Sequence, residues 1–271
     1  MSDFLKEMAR SSAARADAAH RPFTDDELDR PSHPLRLTGF DLIAEIKNRS
    51  PAEGDLSGRA GSRAERARIY ASGGAAAISV LTEPDRFDGA LSHLAEVVDA
   101  VGRVPVMRKD FIVDAVQILE AKAAGASGIL LIAAMQDERE LASLLDCAFA
   151  HELFVLLESF DEDDLSKSAA LLDKPLYRDQ AEASRLLVGI NTRNLRTLEV
   201  DASRLATLAR SLPAGVTAVA ESGLVVPDDA RAAALSGYGM ALVGTALMRS
   251  ADPAELIADM LAAGRSAPAC S

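Results

Sequence analysis

The chain has 271 residues and a mass of 28.6 kDa. That length fits one α/β barrel; by surface scaling it exposes roughly 11,000 Å² folded against about 41,000 Å² unfolded, so it needs no covalent staples. Lys plus Arg number 29 and Asp plus Glu 41, giving a net charge of −12 and a pI near 4.8, which argues against nucleic acid or an anionic membrane surface as partner. The two cysteines, Cys147 and Cys270, form no CxxC pair, which speaks against a disulfide framework or zinc ribbon. No apolar run approaches the roughly 20 residues of a membrane span. The opening MSDFLKEMAR lacks an apolar signal core. A soluble, cytoplasmic protein is expected.

In chain order, Phe4, Leu5 and Met8 recur on one helical face up to about Ala19. This predicts a preliminary helix covering the bottom or rim of the domain. Residues 20–38 form a polar, proline-containing connector. Eight short apolar runs then alternate with amphipathic stretches: 40–46, 75–81, 104–107, 128–133, 153–157, 186–190, 216–220 and 240–243. Near-continuous apolarity suits strands buried on both faces of a parallel sheet. Leu141, Leu144, Leu145 and Phe149, and again Leu205, Leu208 and Leu212, follow helical spacing. Asp252–Pro253 reads as a cap followed by a first helical residue, and Asp161 and Asp201 as similar starts. Residues 173–185 form an unusually long connection on the face away from the strand tops, read as a surface or contact feature.

Eight strand–helix units predict a single (β/α)8 TIM barrel with an extra N-terminal helix; a doubly wound open sheet is the competing architecture. The expected layout is one domain over 1–271, with a helical extension and connector over 1–38, the barrel over 39–263 and a frayed tail over 264–271.

The chemistry is carried by polar residues that interrupt the apolar runs at one end. Strand one ends LIAEIKNRSP, and alternation sets Ile43, Glu45 and Lys47 on one face. Strand three ends at Lys109, strand five at Glu158, strand six at Asn191 and Arg193, and strand seven at Glu221. A single strand-end charge usually just meets solvent. Five strands delivering one to the same end instead predict a shared site of paired charges. A phosphate signal accompanies it: Ser222–Gly223 follows strand seven and Gly244–Thr245 follows strand eight, the loops on which barrels often bind phosphate. Ser50–Pro51 after strand one adds a hydroxyl.

Other constellations fail. There is no GxGxxG, GxSxG or Walker loop, and none of His20, His33, His93 or His151 falls at a predicted strand top. A catalytic triad or His-ligated metal is therefore not expected. The acid run 161–164 reads as a solvated helix start, and Cys147 as core packing.

LIAEIKNRSP, ISVLTEPDRFDG, PVMRKDFI, VGINTRNLRTLEVD, VAESGL and ALVGTALM, in this order from Leu42 to Met248, together resemble indole-3-glycerol-phosphate synthase. The resemblance implies closure of an indole ring. The substrate would be 1-(2-carboxyphenylamino)-1-deoxyribulose 5-phosphate, and the products indole-3-glycerol phosphate, carbon dioxide and water, in tryptophan biosynthesis. It implies Lys109 as general acid on the ribulose carbonyl oxygen and Glu158 as general base in the dehydration. Glu45 and Lys47 would hold the charge network, and Asn191 and Glu221 would contact the sugar hydroxyls. It sets Ser50, Gly223, Gly244 and Thr245 around the phosphate, Arg193 and Ser222 at the substrate, and Pro51, Phe87, Phe111 and Leu242 around the aromatic ring. No cofactor or metal is implied, because loss of carbon dioxide itself restores aromaticity. The expected partner is a phosphorylated small molecule, and the expected assembly a monomer or homodimer.

The sequence departs from the family at SPAEG, where Glu53 replaces a common Lys, and at INTRNL, which keeps Asn191 and Arg193. Two alternatives stay open: another phosphate-sugar barrel enzyme, such as phosphoribosylanthranilate isomerase, and a binding paralogue without catalysis.

Overall fold

Strand pairing closes on itself. In the computed structural model, which describes residues 2–50 (Ser50 by its backbone alone), 54–55, 61–193 and 200–267, eight strands form a parallel barrel. They are β1 (Asp41–Ile46), β2 (Ala77–Leu81), β3 (Val106–Lys109), β4 (Gly128–Ile132), β5 (Phe154–Ser159), β6 (Leu186–Asn191), β7 (Thr217–Glu221) and β8 (Met240–Val243). Each pairs with its sequence neighbours, and β1 closes the ring on β8 through Asp41↔Met240 to Ala44↔Val243. The (β/α)8 reading holds and the open-sheet alternative falls.

Period-two alternation sorts the side chains. Leu42, Ala44 and Ile46 of β1 pack outward against the helices, while Ile43 faces the lumen with Met107, Leu130, Leu156, Leu187, Val219 and Met240. The lumen is therefore a packed core up to its last layer. That last layer carries the charges. Glu45, Lys109, Glu158 and Glu221 come from β1, β3, β5 and β7, whereas β2, β4 and β8 contribute Leu81, Ile132 and Leu242. Alternate strands supplying one layer is the expected geometry of such a barrel.

The helices start where the sequence provides caps. Asp161 accepts from Asp164 N–H and Asp252 from Glu255 N–H, with Pro253 at the first position. Each such cap stabilises by about 1 kcal/mol. The Asp201 start moves: the helix is Ser203–Leu208, with Asp201 accepting from Ser203 N–H just before it. Cys147 packs half-buried against the outer core.

Three local readings change, and the place of the N-terminal helix is decided between its two alternatives. The acid run does start a helix, but Asp164 is buried and accepts from Phe160 N–H, so it closes a loop and is not solvated. The long connection 173–185 is mostly a further helix, Pro175–Glu182; its Tyr177 is buried and donates to Asp146, while Leu176 is exposed. The last helix, Pro253–Arg265, continues past the expected barrel boundary because Gly264 lies flat against the Phe40 ring and Arg265 grips Asp41 at 2.8 Å. The N-terminal helix α1 (Asp3–Ala19) lies on the upper rim, against the loops after β2 and β3. The connector behind it serves the other end, where Thr38 binds Asp41 at the foot of β1.

Candidate active site

The upper layer opens into a cavity of about 670 Å³ lined by Glu45, Lys47, Lys109, Glu158, Asn191, Arg193 and Glu221. All five strand ends singled out from the sequence meet there. Lys109 sits centrally: its Nζ lies 3.1 Å from Glu158 Oε2 and 3.4 Å from Glu221 Oε2. A second pair stands beside it, Lys47 Nζ to Glu45 Oε1 at 2.7 Å. All five side chains are largely removed from water, so these pairs act at low dielectric and control each other's protonation.

Burial works against a charged Lys109, but Glu158, Glu221 and Glu45 outweigh it and hold the ammonium above the ordinary lysine range. Glu45 is stabilised as the anion: burial raises its pKa, yet Lys47, Lys109 and Arg193 bring it below the usual value. Glu221 goes the other way. Burial and then Glu158 push its carboxyl well above the carboxylate range, against the pull of Lys109. Its Oε1 is buried without a hydrogen-bond partner among the described residues.

Two glycines make room for these carboxylates. A Cβ on Gly189 of β6 would overlap Glu221 Oε1, and one on Gly244 would overlap Glu45 Oε1 and lie 3.0 Å from Lys47 Nζ. Gly244, selected from the sequence for phosphate approach, therefore already has a reason to be glycine inside the protein. Gly189 was not selected, though its interruption of LLVGI was a visible signal.

The chain turns sharply after β7. Ser222 and Gly223 both have left-handed φ, 68° and 84°. Ser222 Oγ donates to Asn191 Oδ1 at 2.9 Å, and Arg193 N–H donates to the same oxygen at 2.9 Å. Ser222, Gly223, Gly244 and Thr245 line one stretch of the wall together with Arg249, which the sequence reading overlooked. Phe87, Phe111 and Leu242 line another, joined by Phe4 of α1, whose ring meets Phe111 edge-on at 5.9 Å. The loop expectation at Ser50–Pro51 and the departure at Glu53 fall outside the described residues, apart from the Ser50 backbone. That backbone forms a short ribbon, Arg49–Ser50 against Gly54–Asp55.

Sequence reasoning also missed the network behind Lys109. Asp110, fully buried, takes a two-pronged contact from Arg15 of α1 at 2.8 and 3.0 Å. Thr82 Oγ1 at 2.7 Å, Arg108 at 3.1 Å and Phe111 N–H at 2.8 Å also donate to it. Burial disfavours the charge, but Arg108, Arg15 and Thr82 hold the Asp110 pKa down at about 2. Ser12 of α1 donates to the Phe111 carbonyl. The signal was a pair of charges, Arg108 and Asp110, flanking Lys109 in an otherwise apolar strand.

Comparison with known proteins points to one family. The family model described as indole-3-glycerol phosphate synthase matches residues 11–260. The chain is 42% identical over 230 residues to an indole-3-glycerol phosphate synthase of Parafrankia sp. (strain EAN1pec), covering 85% of this chain and 81% of that one. It is 44% identical over 230 residues to that of Nocardioides sp. (strain ATCC BAA-499 / JS614), covering 84% and 83%. Among solved structures, a 3-hexulose-6-phosphate synthase from Salmonella typhimurium superposes with TM-score 0.58 at 16% identity, covering 82% of this chain and 97% of that one, a likeness of fold alone. With a family model spanning most of its length and relatives above 40% identity, this chain belongs to the indole-3-glycerol phosphate synthase family.

Proposed function

We propose that the cavity closes an indole ring on 1-(2-carboxyphenylamino)-1-deoxyribulose 5-phosphate, as the family's name and the chemistry of the site suggest. The observation that carries the reading is the Lys109 ammonium, fixed between Glu158 and Glu221 where an apolar wall meets a polar one. Aryl-carbon attack on the ribulose carbonyl forms the new carbon–carbon bond and places negative charge on the carbonyl oxygen. Lys109 stabilises that charge and donates the proton. The bond from the ring to its carboxylate then breaks; carbon dioxide leaves and its electron pair restores the aromatic ring. Finally the hydroxyl formed from the carbonyl oxygen takes a second proton from the lysine ammonium groups of the cluster and departs as water, while a proton leaves the neighbouring nitrogen-bound methylene. Glu158, 3.1 Å from Lys109, is the base for that step.

The remaining groups orient the reactants, and orientation supplies much of the rate in such a closure. Phe87, Phe111, Leu242 and Pro51 flank the aryl ring. Ser50, Ser222, Gly223, Gly244 and Thr245 receive the phosphate, with Lys47 and Arg193 facing the anions. Asn191 Oδ1 already accepts from two protein donors, so its Nδ2 is the atom left for sugar hydroxyls, and Glu221 supplies a carboxyl to the same hydroxyls. Lys47, Lys109, Arg193 and Arg249 bring positive charge to the cavity of a protein whose overall charge is −12. We place this activity in the cytoplasm, in one domain that works as a monomer or homodimer.

The test is direct. Purified protein should convert the substrate to a product with indole fluorescence, releasing one carbon dioxide per turnover. Binding of the substrate without product would instead favour a paralogue that has lost catalysis.

A further inference from the structure

We infer that Glu83, which lies outside the cavity, is a positioning residue for the aromatic half of the site and acts through Phe87; the inference rests on the ring-closing function proposed above. After β2 the chain makes a single helical turn, Pro84–Phe87. Four residues cannot sustain a helix by their own hydrogen bonds. One carboxylate holds this turn. Glu83 is 1% exposed, and its Oε1 accepts from Asp85 N–H at 2.9 Å. Its Oε2 accepts from Arg86 N–H at 2.7 Å and Phe87 N–H at 3.2 Å. Pro84 at the first position has no N–H, so a single side chain meets every backbone donor in the turn.

The exit is fixed as firmly. Asp88 adopts a left-handed φ of 53°, and Gly89 N–H returns to the Glu83 carbonyl at 2.8 Å. A Cβ on Gly89 would lie 2.5 Å from the Thr82 carbonyl carbon, so the chain passes itself at backbone contact. Of the four residues in the turn, Phe87 alone lines the cavity, its ring 6.3 Å from that of Phe111. Asn48 Nδ2 donates to the Asp88 carbonyl at 3.0 Å, tying this loop to the end of β1 beside Lys47. The carboxylate thus sets where an aromatic wall stands without touching ligand. Pre-setting such a wall lowers the ordering cost of binding a flat ring.

A double-mutant cycle between Glu83 and Phe87 tests this, read by product fluorescence. Glu83→Ala should raise KM about tenfold, the scale of one aromatic contact. Turnover should stay within about threefold, and inhibition by inorganic phosphate, which probes the other wall, should not change. Glu83→Gln keeps an acceptor oxygen and should recover most of the loss. The double variant Glu83→Ala with Phe87→Ala should show the KM of Phe87→Ala alone, since Glu83 then has nothing left to position. An unchanged KM in Glu83→Ala, a loss confined to turnover, or additive effects in the double variant would overturn the inference. If Glu83→Ala does not fold, Glu83→Gln decides: faster amide exchange at residues 85–87 with an unchanged KM refutes it. Absence of product from the unmodified protein would instead refute the function on which it rests.

Discussion

The charge cluster makes a prediction that separates stability from activity. Its hydrogen-bonded groups are two cations, Lys47 and Lys109, and three carboxylates, Glu45, Glu158 and Glu221. One carboxylate is in surplus, and Glu221 is the one whose ionisation the site opposes. The sign follows from linkage. A carboxyl whose folded pKa lies above its unfolded value, about 4.3 for Glu, adds no penalty while pH is below that value. As pH rises beyond it, the unfolded chain ionises first and the fold loses stability, until pH passes the folded pKa. Glu221→Gln removes the surplus charge at nearly constant shape. It should therefore stabilise the protein at pH 8, and its effect should fade toward pH 4. Replacing ill-matched buried charge by a neutral group is worth about 1–2 kcal/mol, the lower part of the measured range. For a chain of this size that is roughly 2–8 °C in melting temperature. Turnover should fall about a hundredfold in the same variant, because the carboxyl able to take up or release a proton beside Lys109 is gone. Thermal melting across pH 4–9, paired with the fluorescence assay, reads both. A variant that melts lower than the parent at pH 8, or whose shift does not depend on pH, would refute the surplus-charge argument.

Lys109→Ala should cut turnover by about 10³-fold and, by leaving buried carboxylates unpaired, lower stability near neutral pH by about 3–5 kcal/mol; steady-state kinetics and urea titration check the two halves. In Gly244→Ala the new methyl overlaps Glu45 Oε1, so the Glu45–Lys47 pair must shift; lower turnover with an intact circular dichroism spectrum is expected, and parental kinetics would contradict the packing argument. Arg15→Ala removes one of the groups that hold Asp110 at about pKa 2. The stability that this depressed pKa supplies is fully present above the unfolded value, about 3.9, and disappears as pH falls through 2. Denaturant titrations should therefore show the variant weakened most above pH 5, converging on the parent toward pH 2.

Some of this was legible in the chain itself because burial leaves a one-dimensional record. Strands buried on both faces read as apolar runs, and a polar residue closing such a run has to lie at a strand end. That logic placed Glu45, Lys109, Glu158, Asn191 and Glu221 at one rim, where the structure brings them into one cavity. Two kinds of information were not local. Gly189 in β6 and Gly244 just after β8 are small because of a carboxylate arriving from β7 or β1; the glycines are visible in the sequence, the carboxylates that require them are not. Likewise Arg15 and Asp110 are far apart in the chain, so their contact could not be foreseen before the position of α1 was known. The helix Pro175–Glu182 was read as a connection because its turn of buried residues, Tyr177 and Ala181, is too sparse to show a period.

The alternation of strands explains why a charge cluster can persist on top of a hydrophobic core. Charges enter from β1, β3, β5 and β7, and Leu81, Ile132 and Leu242 stand between them from β2, β4 and β8. Below lies a layer of Ile43, Met107, Leu156 and Val219 that excludes water. Lys109 therefore finds its counter-charges sideways, on other strands, while Lys47 takes its own from Glu45 two residues earlier in the same chain segment. This fixes which protonation changes are within reach: Glu158 and Glu45 favour the Lys109 ammonium, while Glu221, with one buried oxygen lacking a hydrogen-bond partner among the described residues, is the group inclined to hold a proton. A proton donor and a partner able to take up or release a proton are thus set by packing before any ligand arrives. The same layer adds Leu242 to the apolar wall formed by Phe87 and Phe111, where the proposed function seats the ring. Acid–base poise and ring orientation are two consequences of one pattern of alternate strands, and a change on an even strand that widens the gaps should disturb both together.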